Sequence, residues 1–207
     1  MVFVTLVFLF FLSCAAGCTS VRTADTHNVS VTVQSYNSWV FDQKELDREV
    51  RSTIIQVGEH VNTYNAEIEK DHPDSALLRE NLAQDRQLLN QWGSRLDSLA
   101  AATDRFEQFT AALTYDNSSG IQTRNTLGLM TQYMKIYVVN MGNARQYLTD
   151  YVNNAEAYIG PEDPDDWNDN NRGKAMQAKE LASVSLADGD AALENITVQA
   201  SQLEKLQ

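Results

Sequence analysis

The feature that most restricts this chain is a set of long apolar seams whose members recur at steps of three and four. The longest reads Leu78, Leu82, Asp85, Leu89, Trp92, Leu96, Leu99, Thr103, Phe106, Thr110 and Leu113. Such spacing lines one face of an α-helix, whereas a half-buried strand would alternate every second residue. Proline breaks helices, and only three occur in 207 residues, so long helices are permitted.

Three further segments repeat the pattern. The first is predicted to begin at Asp42, an N-cap with Glu45 completing a capping box and Phe41 and Leu46 placed as a hydrophobic staple. Its seam runs Leu46, Val50, Ile54, Val57, Val61, Tyr64 and Ile68. It ends at Asp71-His72-Pro73-Asp74, with Pro73 expected in the first turn of the next helix. Ser119 and Gln122 form a second capping-box pair before Leu127, Met130, Met134, Tyr137, Met141, Ala144, Leu148, Tyr151, Ala155 and Tyr158. Gly160 and Pro161 stop that helix. The last seam is small: Ala178, Ala182, Ser185, Gly189, Leu193, Ile196, Ala200 and Leu203. A period near 3.5 with short connections predicts an all-α fold, an elongated antiparallel four-helix bundle in up-down-up-down order. Helices of roughly 35 residues would make a rod of about 50 Å. The large Met and Tyr seam is expected to pack on the small one, letting two axes approach closely. Gly93, Gly128, Gly142 and Gly189 lie inside these helices, where close contact is the simplest reason for them.

The net charge of −12 repels phosphate backbones, which argues against nucleic-acid binding. It also repels anionic headgroups, so attachment to a membrane has to be hydrophobic or covalent. Both cysteines, Cys14 and Cys18, precede the helical body, which excludes an intradomain disulfide and a cysteine nucleophile there.

Residues 1–17 carry no charged side chain, and Val2 to Leu12 is almost continuously apolar. The run falls short of the roughly 20 residues that span a bilayer and suits a signal peptide. It ends Ala15-Ala16-Gly17-Cys18. This ending resembles the lipobox of prokaryotic lipoproteins, with Ala15 where Leu is usual. The resemblance implies removal of residues 1–17 and a diacylglyceryl group on the Cys18 thiol. Two acyl chains anchor stably, at about 0.8 kcal/mol per buried methylene. The expected organisation is therefore a signal peptide over 1–17, a lipid-anchored extended tether over 18–41 and the bundle over 42–207. Within the tether, Val29, Val31 and Val33 alternate with polar residues, and Asn28-Val29-Ser30 is a glycosylation sequon, as are Asn117-Ser118-Ser119 and Asn195-Ile196-Thr197.

Few constellations carry chemistry. The chain lacks a Gly-rich phosphate loop, a CxxCH haem site and an HExxH zinc motif. Glu69 and His72 have the E-x-x-H spacing of di-iron bundles, but no second pair exists. No cofactor and no metal are expected. Asp85 interrupts an apolar seam, and Arg124 and Arg145 are the candidate partners for its charge. Glu162, Asp163, Asp165, Asp166 and Asp169 cluster around Trp167. Calcium would suit such oxygens, but the spacing is not that of an EF-hand, and acids before a helix complement its dipole. Trp167 and these acids are read as a solvent-facing recognition tip.

The function expected on these grounds is that of a non-enzymatic envelope lipoprotein, a scaffold or interaction module. It would sit outside the cytoplasm, held to the membrane through Cys18, and engage a protein partner. The alternative is an extracytoplasmic ligand-binding or sensor bundle that signals through a partner.

Overall fold

A computed structural model describes residues 23–70, 73–114, 118–160 and 167–205. They form four helices: α1 (Thr23–Ile68), α2 (Ser75–Ala112), α3 (Ser118–Tyr158) and α4 (Asp169–Lys205). Among the described residues there is no strand, and no helix is long and apolar enough to cross a membrane. The helices pack against one another around a continuous core.

Every position of the seams predicted for α2 and α3 is buried, from Leu78 to Leu113 and from Leu127 to Tyr158. On α4, Ala178, Ala182, Ser185, Gly189 and Ile196 are buried, joined by Ala175 and Ala192. The backbones of α3 and α4 approach more extensively than any other pair. Small residues make this possible: the Met141 methyl lies directly over Gly189, with the Tyr137 ring 3.6 Å from where a Cβ would stand. Gly93 serves another purpose. A Cβ there would stand 2.6 Å from Arg145 Cζ, so its absence lets the Arg145 side chain cross α2 and donate from Nε to the Leu89 carbonyl at 2.7 Å.

The start of α1 differs from the sequence expectation. The extended tether does not form over residues 23–41, and Asp42 is not a cap, because α1 is already helical from Thr23. Thr, Val, Ser and Asn in this stretch are weak helix formers, each costing a few tenths of a kcal/mol against Ala. Extending an existing helix avoids the cost of a new nucleus. Packing supplies the remainder: Trp39 is 1% exposed, stacks on Phe106 of α2 at 4.9 Å between centroids, and donates from Nε1 to Thr103 Oγ1 at 3.2 Å. The core thus begins before residue 42.

The connection from α1 to α2 is tied by a residue outside the predicted seam. Glu67, 5% exposed, accepts from Lys70 Nζ at 2.6 Å and from the backbone N–H of Asp74 at 2.8 Å. The Lys70 ammonium and that N–H hold its carboxyl below the usual carboxylate range. Asp74, not Pro73, opens α2: its side chain accepts from the N–H groups of Ala76 and Leu77, so Pro73 precedes the cap. At the end of α3, Arg79 donates to the carbonyls of Ile159 and Gly160 at 3.1 and 3.3 Å, satisfying carbonyls left over at a helix C-terminus.

Candidate functional site

The most chemically distinct group in the described interior joins α1 to α2. Asp85 keeps its place in the α2 seam with a side chain 1% exposed, and His60 stands beside it at 22%. His60 Nδ1 and Asp85 Oδ1 are 2.5 Å apart. The expected partners Arg124 and Arg145 do not reach Asp85: Arg145 is turned to the Leu89 carbonyl and Arg124 to that of Leu113. His60 arrives instead because it lies three residues after Val57 and four before Tyr64, both buried, at the border of the α1 seam. Burial pushes the Asp85 carboxyl up to about 6, opposed by the hydrogen bond and charge of His60. Asn81, one turn earlier on α2, is also buried. The phenols of Tyr64 and Tyr151 are raised chiefly by burial, and the Asp85 charge adds to the effect on Tyr151. Tyr64 donates its hydroxyl to the Ala155 carbonyl at 3.2 Å, so the layer reaches α3. The raised carboxyl holds its proton more tightly than an exposed one. An imidazole reachable by solvent sits between water and a carboxylate that is not.

The recognition tip is only partly within view. Glu162, Asp163, Asp165 and Asp166 lie outside the described residues. Asp169 is exposed in the first turn of α4, where its charge complements the helix dipole. The cap of that helix is Asn168, whose side chain accepts from the Asn170 N–H at 3.0 Å. Trp167 departs from expectation. It is half-buried against the core, edge to face with Tyr158 at 5.1 Å and 62°. Its first role is therefore packing, which joins the end of α3 to the start of α4.

Cys18 and His72 also lie outside the described residues. No group of three or more His, Cys, Asp or Glu suited to a metal ion occurs among the described residues. A groove of about 530 Å³ runs between α2 and α3, lined by Glu107, Thr110, Arg124, Gly128, Leu129 and Gln132 among others. Nothing meets a Cβ built at Gly128, so this glycine leaves open space and not a close helix contact. Beside the groove, Lys135 pairs with Glu107 at 2.6 Å and Asp104 at 3.5 Å. Its pKa is raised, chiefly by the hydrogen bond to Glu107.

Sequence reasoning missed the partly buried His60 and the buried Glu67 and Thr53. His60 had a signal in its offset from Val57 and Tyr64. Glu67 had none, since an acid beside Ile68 near a helix end reads as solvated. No family model, no curated protein and no solved structure matches the chain.

Proposed function

We propose that the chain is a non-enzymatic envelope lipoprotein, anchored through Cys18, whose helices act as a scaffold or interaction module in up-down-up-down order. The observation that supports this reading is that helix is already described a few positions after Cys18, the residue we assign to the lipid. Thr23, where α1 begins, stands five positions after Cys18. Five extended residues span at most about 18 Å. A lipid on Cys18 would hold one end of a stiff helical body near the headgroups, without a long flexible tether.

Several cross-helix pairs support the antiparallel order. Along α2 and α3, Arg86 meets Glu156, the Leu89 carbonyl meets Arg145 and Glu107 meets Lys135. Along α1 and α2, Trp39 meets Thr103 and His60 meets Asp85. In both series one residue number rises as the other falls. In this order the start of α1, the connection between α2 and α3 and the end of α4 share the base. The far end holds the start of α4, with Trp167 and Asp169, and the described residues of the connection after α1. That end is the surface we assign to a protein partner, with Trp167 supporting it from beneath.

A second reading, an extracytoplasmic sensor acting through a partner, is favoured by one observation: the ionisable His60–Asp85 pair inside an apolar seam. Intact-mass measurement on wild type and Cys18→Ser tests the anchor. Wild type should begin at Cys18 and carry the added lipid mass. The Ser variant should lack the lipid and retain residues 1–17. A wild-type protein without lipid, or a Ser variant processed like wild type, would remove the lipoprotein reading.

A further inference from the structure

We propose that the His60–Asp85 pair is a proton-dependent latch that sets how firmly α1 is held against the rest of the bundle. The proposal goes beyond the scaffold reading and does not depend on the lipid at Cys18.

Its first support is position. Among the described residues the backbone of α1 comes close to α2 alone. It reaches α3 and α4 through side chains, with Tyr64 on the Ala155 carbonyl and Arg51 3.5 Å from Asp190. α4 likewise comes close to one neighbour, α3, but over a far more extensive contact, so α1 has the sparser grip and is the one placed to open locally. The second support is chemistry. Among the described residues the other ion pairs between α1 and α2, from Arg95 to Glu45 and Glu49, keep a third to a half of each side chain in solvent, and solvent-screened pairs contribute little. His60–Asp85 has one partner 1% exposed, so an uncompensated charge there meets a desolvation cost. The third is access: His60 is open enough to pass a proton from solvent to the buried carboxylate.

Among the described residues, these ionisable groups stand around the pair. From α1 there is His60 itself, with Tyr64 one turn on. From α3 there is Tyr151, whose phenol feels the Asp85 charge. From α4, Arg172 acts on the neighbouring Tyr64 phenol. The phenols stay neutral across the physiological range, since both are raised. The group in this layer whose proton is held within the physiological range is therefore the Asp85 carboxyl, with His60 as its hydrogen-bond partner.

The direction follows from Asp85, which is raised to about 6 when folded, with burial as the main cause. A carboxyl that holds its proton more tightly when folded stabilises the closed state fully below the unfolded carboxylate range. That contribution is lost as pH rises through about 6. Alkaline conditions should loosen α1, and acid should fasten it.

Hydrogen exchange of the full chain, corrected for the intrinsic pH dependence of exchange, tests this. Between pH 4.5 and pH 8 the protection factors of α1 amides around His60 should fall on the order of tenfold, while those of α3 and α4 change less than about twofold. In Asp85→Asn the α1 protection should be nearly independent of pH. In His60→Gln the fall should persist and α1 should be less protected at pH 8, because the buried carboxylate then loses its imidazole hydrogen bond. Flat α1 protection in wild type, an unchanged slope in Asp85→Asn, or an equal fall in all four helices would overturn the latch. The wild-type comparison stands alone if either variant fails to fold.

Discussion

The pairing of α3 with α4 and the pairing of α1 with α2 solve the same packing problem differently. On α4, alanines, Ser185 and Gly189 let the backbone settle against the Met and Tyr seam of α3. Contact there is broad and made of many small increments. Between α1 and α2 the grip depends on a few large or polar anchors: Trp39 stacked on Phe106, and His60 against Asp85. Broad small-residue contact gives rigidity with little scope for adjustment. Sparse anchoring gives a helix whose hold can be altered at single positions. The adjustable helix is also the one that leads to Cys18.

The contrast can be broken most sharply at Trp39. Trp39→Ala removes a side chain that is 1% exposed and should cost about 3–5 kcal/mol in urea unfolding. A loss under about 1 kcal/mol would mean that α1 contributes little to the bundle. On the other pairing, Gly189→Leu would displace the Met141 methyl and press on Tyr137, costing about 1–3 kcal/mol through overpacking. A neutral result would show that α3 and α4 are not closely joined there. Trp167→Ala should cost about 1–2 kcal/mol, because the ring is half-buried and meets Tyr158 edge to face. No change in thermal stability would return Trp167 to the solvent-facing role that its acidic setting suggests. The smallest effect has the opposite sign. Nothing meets a Cβ at Gly128, so Gly128→Ala should stabilise the protein by up to about 1 kcal/mol through helix propensity.

The same contrast explains what could be read from the sequence. The seams of α2 and α3 were legible to the residue because long side chains at helical spacing have no other way to be buried. Asp85 was legible as a member of the seam. Its partner was not, since periodicity fixes a face of one helix but not which residue of another helix comes level with it. The start of α1 was misread because Asp42, Glu45 and Phe41 make a sound local capping signal. The stacking of Trp39 on Phe106, 67 positions apart in the chain, outweighs it. Trp167 was misread for a similar reason: its sequence neighbours are acids, whereas its spatial neighbour is Tyr158. The proposed anchor at Cys18 is read from Ala15-Ala16-Gly17-Cys18, which lies outside the described residues.

The central claim is that α1 links a lipid on Cys18 to a bundle standing base-first on the membrane. The most direct measurement is collisional quenching in vesicles containing a headgroup-linked quencher. The lipidated full chain would be labelled at one position at a time, Ala24→Cys or Asn168→Cys. The label at position 24 should be strongly quenched, and the label at position 168, most of a 41-residue helix away along α3, should remain unquenched. At 1.5 Å per residue that separation is about 60 Å. Equal quenching at both positions, or stronger quenching at 168, would contradict the account.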